Sequence, residues 1–114
     1  MAGPLLAAVV FVLMIATAAS GAVLVRGLRT DDGRNIWRPR KVDVDVGQTV
    51  KWKAVEGNHT VTAYGGNWSK DVTLAQGETT TKTFNNPGRY KFRCRFHSTL
   101  SDGVCSGMCG KVVV

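Results

Sequence analysis

The run Tyr90-Lys91-Phe92-Arg93-Cys94-Arg95-Phe96-His97 constrains the fold more than any other part of the chain. Its early residues alternate apolar and polar with a period of two, the mark of a half-buried strand, and place Tyr90, Phe92 and Cys94 on one face. Such a strand needs paired neighbours and a second layer over its apolar face. It also carries a thiol toward the interior and, three residues later, an imidazole just past the strand end.

The same period recurs through the chain. Val42, Val44 and Val46 alternate with Asp43 and Asp45, and Thr49-Val50-Lys51-Trp52-Lys53-Ala54-Val55 sets Val50 and Trp52 on one side. Thr60-Val61-Thr62-Ala63-Tyr64, residues 72–74, Thr79-Thr80-Thr81-Lys82-Thr83-Phe84 and residues 111–114 read as further strands. Turn signals lie between them: Gly47-Gln48, Glu56-Gly57-Asn58, Gly65-Gly66-Asn67, Ala75-Gln76-Gly77-Glu78 and Asn85-Asn86-Pro87-Gly88. No useful amphipathic helical run follows Gly27. Short strands, about seven to eight of them, with a turn roughly every ten residues predict an all-β antiparallel sandwich. Trp37, Trp52 and Trp68 are expected to pack it.

With 114 residues there is room for one domain. The first 25 residues differ from the rest. Residues 5–25 carry no charge and end in the small-residue cluster Ala16-Thr17-Ala18-Ala19-Ser20-Gly21. This pattern predicts a secretory signal peptide with Ala-x-Ala-like cleavage options, although Met1-Ala2-Gly3-Pro4 lacks the usual basic residue. The competing reading is a membrane anchor, since about 20 apolar residues can span a bilayer. Either one places a domain of residues 26–114 outside the cytoplasm. All of the formal +7 charge then sits on that domain. It favours acidic partners. The basic residues are dispersed and form no nucleic-acid motif, so nucleic acid is not expected.

Three cysteines, Cys94, Cys105 and Cys109, fall near the end of the chain. In an oxidising compartment free thiols pair, and an odd count leaves one with another task. The natural division pairs Cys105 with Cys109 and leaves Cys94 for a metal. Each candidate ligand has an ordinary reading: Cys94 a buried structural thiol, His59 a satisfied histidine, Met108 core filler. The conjunction outweighs those readings. The chain holds only two histidines. His59, Cys94 and His97 with Met108 supply two imidazoles, a thiolate and a weak thioether, the set a blue-copper centre requires. A structural zinc site normally uses close pairs of Cys or His, whereas His59 stands alone far upstream of Cys94.

Longer segments extend the pattern. Val46-Gly47-Gln48-Thr49-Val50-Lys51-Trp52, Asn58-His59-Thr60-Val61, Phe84 with Pro87-Gly88-Arg89-Tyr90, and Met108-Cys109-Gly110-Lys111-Val112 occur in order. Together they resemble the cupredoxins, the plastocyanin- and azurin-like small blue copper proteins, over roughly residues 27–114. The resemblance implies a Greek-key β-sandwich, one type 1 copper per chain, His59, Cys94 and His97 as equatorial ligands and Met108 as axial ligand. It further implies a monomeric, non-enzymatic carrier of single electrons that meets redox partner proteins, with His97 as the electron exit. A copper-binding or copper-delivery protein is the alternative. Thr60 is expected to hydrogen-bond the Cys94 sulfur through its backbone.

One departure stands out. Ten residues, 98–107, separate His97 from Met108, more than these relatives usually have. The stretch reads as a turn-rich insertion that brings Cys105, and a Cys105–Cys109 bridge would bracket Met108. If reduced, either cysteine could replace Met108 as axial ligand. Cys105-Ser106-Gly107-Met108-Cys109-Gly110 also resembles part of the dinuclear copper domain of terminal oxidases, but the histidine that centre needs is Val113 here.

Overall fold

The computed structural model describes residues 21–114. They form nine strands: β1 Val23–Arg29, β2 Asn35–Arg38, β3 Lys41–Asp43, β4 Gln48–Ala54, β5 His59–Tyr64, β6 Asp71–Leu74, β7 Thr79–Phe84, β8 Arg89–Ser101 and β9 Val104–Val113. One sheet has the order β2-β1-β4-β7 and the other β3-β9-β8-β5-β6. β1 runs parallel to β4 and β3 parallel to β9, and the remaining pairs are antiparallel. Among the described residues no helix is long and apolar enough to cross a membrane.

Alternation explains the layers. In β4, Val50, Trp52 and Ala54 are buried while Lys51 is exposed, and in β8 Phe92 and Cys94 are buried while Lys91 is exposed. The inward residues of the two sheets meet around Trp52. Its ring packs edge-on against Phe92 at 5.3 Å and lies 6.3 Å from Trp68. Phe92 also meets Trp37, whose centroid is 5.7 Å away. Each such buried ring contributes about 1.5–3 kcal/mol by removal from water. The three tryptophans are therefore packing residues, as their sequence context implied.

Three expectations are corrected. First, the folded part begins before residue 26: Val23, Leu24 and Val25 pair with Val50, Lys51 and Trp52, and Val25 is buried. These three residues are the end of the expected apolar leader, of which residues 5–20 lie outside the described residues. A strand of Val and Leu cannot be told from the tail of an apolar leader by composition. Second, Val46 does not continue the inward face of Val42 and Val44. The chain turns at Asp45, where the Gln48 N–H donates to the Asp45 carbonyl at 3.0 Å, and Val46 is exposed.

Third, residues 98–107, expected to be turn-rich, are mostly strand. β8 and β9 run on past the sandwich as a two-stranded arm, pairing Ser98 with Gly107, Thr99 with Ser106, Leu100 with Cys105 and Ser101 with Val104. Asp102 and Gly103 close it, with φ of 50° and 75°. Two successive positive φ values are what a two-residue hairpin turn with the right-handed strand twist demands, and Asp-Gly supplies them.

Candidate metal centre

The ligand candidates gather where the β8–β9 ladder breaks. Pairing is regular up to Arg93–Cys109 and resumes at Ser98–Gly107, so Cys94 to His97 bulge out between two ordered stretches. Such a bulge redirects side chains that a continuous ladder would fix. Hydrogen bonds tie the bulge down. The Ser98 hydroxyl donates to the Cys94 carbonyl at 2.5 Å, an Arg93 guanidinium N–H donates to Ser98 Oγ at 3.1 Å, and the Arg95 N–H donates to Thr60 Oγ1 at 2.8 Å.

His59 enters from the first position of β5. The Glu56-Gly57-Asn58 turn before it is tied to the loop after β6, since Gly57 N donates to Gln76 Oε1 at 2.9 Å and Gln76 N to Asn58 Oδ1 at 3.1 Å. The His59 ring is fully buried, and its Nε2 lies 2.6 Å from the Glu56 carbonyl. A carbonyl only accepts, so Nε2 carries the proton and Nδ1 keeps a free lone pair. Burial holds the His59 pKa below its ordinary 6.5, against a smaller upward pull from the Glu56 hydrogen bond. The neutral form, the one a metal needs, is thereby favoured.

That lone pair points at Cys94. Sγ of Cys94 lies 3.7 Å from His59 Nδ1 and 3.4 Å from His97 Nδ1, and the candidate ligand atoms of the three residues all fall within 4.8 Å of one another. Ligand bonds of about 2.0–2.3 Å, opened to tetrahedral or trigonal angles, separate sulfur and nitrogen donors by roughly 3.5–3.8 Å. Both sulfur–nitrogen separations lie close to that range, so the three donors converge as one metal ion requires. Cys94 is fully buried and is the free cysteine among the described residues. The Thr60 N–H donates to its sulfur at 3.3 Å, as the sequence implied. His97 is only half-buried; its ring meets that of His59 at 5.1 Å and that of the exposed Phe96 at 6.4 Å.

Met108 is buried on β9, one residue before the Cys109 that pairs with Arg93, which sets it beside the Cys94 bulge. Cys105 and Cys109 are disulfide-bonded across it, with Cα atoms 6.1 Å apart. Four extended residues would span about 13 Å, so β9 bends sharply between the two cysteines. Gly107 makes the bend, at φ 99°. A Cβ there would stand 2.4 Å from the His97 carbonyl oxygen.

Sequence reasoning missed two positions that shape the site. Gly107 is one. The other is Gly27 of β1, where a Cβ would lie 2.8 Å from Cδ2 of the His59 ring and 3.1 Å from Trp37. The imidazole occupies the space a side chain would take. A lone glycine inside a strand pattern was the available signal, since it marks a close approach.

Comparison with known proteins agrees with this geometry. A model of the plastocyanin/azurin family of copper-binding proteins matches residues 26–114. The chain belongs to that family and, in class, is a cupredoxin. A Cu(I) form of an amicyanin variant superposes with a TM-score of 0.65 at 27% identity, covering 87% of each chain. A pseudoazurin from Sinorhizobium meliloti gives 0.62 at 25% identity over 83% of this chain and 74% of its own. A purple cupredoxin from Nitrosopumilus maritimus, at 20% identity and TM-score 0.61, shares the fold over 81% of this chain and 98% of its own. Copper is the metal this family and donor set define.

Proposed function

We propose that this chain is a type 1 copper protein that carries single electrons, with His59, Cys94 and His97 as equatorial ligands and Met108 as axial ligand. The observation that carries the reading is the enclosed His59–Cys94–His97 cluster, held in register by a fixed imidazole tautomer and a bulge anchored at three points. Bound copper supplies one-electron chemistry by alternating between Cu(I) and Cu(II). The protein's part is to keep the ligands nearly fixed through both states. Burial of His59 and Cys94 excludes water, the Thr60 N–H bond moderates the thiolate charge, and four protein donors on one copper would leave no ligand position for a substrate. This supports a carrier rather than an enzyme.

His97 is the candidate exit for the electron, half-buried beside Phe96, which is 52% exposed. The partner is proposed to be an acidic redox protein. Lys41, Lys111 and Lys91 stand in cross-strand register on one sheet, adding like charges that a sheet otherwise avoids. With a net charge of +7, association is expected to speed up at low salt. The chain is proposed to act as an extracytoplasmic monomer, delivered by the apolar leader as a cleaved signal or an anchor. Any cleavage must leave β1 from Val23 onward intact.

The test is the visible and electron-paramagnetic-resonance spectrum after loading with Cu(II). An intense thiolate-to-copper band with narrow hyperfine splitting, abolished in Cys94→Ser, is expected. A colourless protein with an ordinary copper signal would overturn the reading.

A further inference from the structure

A closed hydrogen-bond circuit lies beside the ligand bulge and links it to the sheet edge. The Arg95 N–H donates to Thr60 Oγ1 at 2.8 Å, and the hydroxyls of Thr60 and Thr62 lie 2.9 Å apart. Thr62 Oγ1 donates to Asp71 Oδ1 at 2.8 Å, and Nε of the same Arg95 donates to that oxygen at 3.0 Å. A hydroxyl carries one hydrogen, and a carboxylate only accepts. Thr62 therefore commits its hydrogen to Asp71. Thr60 must then give its own to Thr62, which leaves its lone pairs for the Arg95 N–H. The direction of every bond is set by the anion at the far end.

Thr60 is the inner corner of this circuit. It is fully buried, and its main-chain N–H also donates to Cys94 Sγ at 3.3 Å. One residue thus holds the sulfur by its backbone and the next residue of the bulge by its side chain. Asp71 and Arg95 are exposed, with side chains 58% and 41% accessible. A surface ion pair of that kind contributes little to stability, so overall stability does not account for it. Its reach is inward, through two hydroxyls to the backbone between Cys94 and His97.

Resting on the copper reading above, we propose that Asp71 is a positioning residue: through Thr62 and Thr60 it orients the Arg95 N–H and so sets the geometry of the Cys94–His97 segment before and after metal binding. It does not touch the metal.

The test uses the full chain with Asp71→Ala, Thr62→Val, Thr62→Ser and, as a charge control outside the circuit, Asp43→Asn, which disturbs the separate Lys41–Asp43 pair. In the metal-free protein, Asp71→Ala and Thr62→Val are each expected to speed amide hydrogen exchange at Arg95 by tenfold or more. Exchange at Val112, a core reference, should stay unchanged. In the copper-loaded protein the same two variants should shift the reduction potential and the Cu(II) hyperfine splitting, while Thr62→Ser and Asp43→Asn match the parent. Unchanged exchange at Arg95 in both variants overturns the proposal. So does equal acceleration at Val112, or a potential shift that Asp43→Asn reproduces. If the parent shows no type 1 spectrum, the copper reading fails, and the circuit stands or falls on exchange at Arg95 alone.

Discussion

The β8–β9 hairpin contains two ladders that differ in everything except connectivity. In the first, Arg89 to Arg93 pair with Val113 to Cys109, flanked by β5 and β3 and lying over the aromatic core. In the second, the arm, Ser98 to Ser101 pair with Gly107 to Val104, and Leu100 and Val104 are exposed at 39% and 70%. The first is fixed by burial; the second is held by its turn and by the disulfide. Cys105 belongs to the arm and Cys109 to the sheet, so the bond staples one ladder to the other across Met108. The candidate metal ligands sit at the discontinuity, where backbone pairing no longer dictates side-chain direction. A rigid half supplies the platform and the break supplies the freedom to aim three donors at one point.

The largest expected effect comes from breaking the rigid half. Phe92→Ala removes a fully buried ring and should cost about 3–5 kcal/mol in denaturant unfolding of the metal-free protein. Gly107→Ala attacks the bend between the halves. Its Cβ would meet the His97 carbonyl at a positive φ, so a loss of about 1–3 kcal/mol is expected together with an altered Cu(II) spectrum. An unchanged spectrum would show that the bend does not position the ligands.

Removing the staple, as Cys105→Ser with Cys109→Ser, should cost at most about 2 kcal/mol, because the closed ring is short. Faster amide exchange in the arm than in residues 89–93 would locate that loss. Acid should act through the platform. His59 is held neutral, with its pKa below 6.5, so its contribution is complete above 6.5 and is lost as pH falls through the lowered value. Urea titrations of the metal-free protein between pH 7 and 5 check this, and His59→Gln should flatten the dependence. The smallest effect belongs to the arm tip, where Val104→Ser should change stability by less than about 0.5 kcal/mol.

Much of this was legible in the chain itself. Alternation in residues 49–55 and 89–96 gave the core positions Val50, Trp52, Phe92 and Cys94, and the bond from Thr60 to the sulfur followed from its place beside His59. The structure draws His59, Cys94 and His97 together and sets Met108 on the adjacent strand. What stayed hidden has a common cause. β1 was masked by an apolar leader of the same composition, and the arm was masked by polar residues that also make loops. Gly27 and Gly107 act through the space they leave empty, which a sequence records only as the absence of a side chain.

The sequence by itself determined the donor types and the sheet faces, because a period of two assigns inside and outside residue by residue, and because only Cys, His and Met offer those ligand atoms. Tertiary structure alone decided which lone pair of His59 is free, how sharply β9 bends, and how Asp71 reaches the ligand bulge. The first two turn on contacts only three and four residues apart that composition does not record, and the third on a distance between residues far apart in the chain, the 2.8 Å from Arg95 to Thr60. Alternation assigns a face but not a strand neighbour; the order of β8, β5 and β6 within one sheet sets that distance.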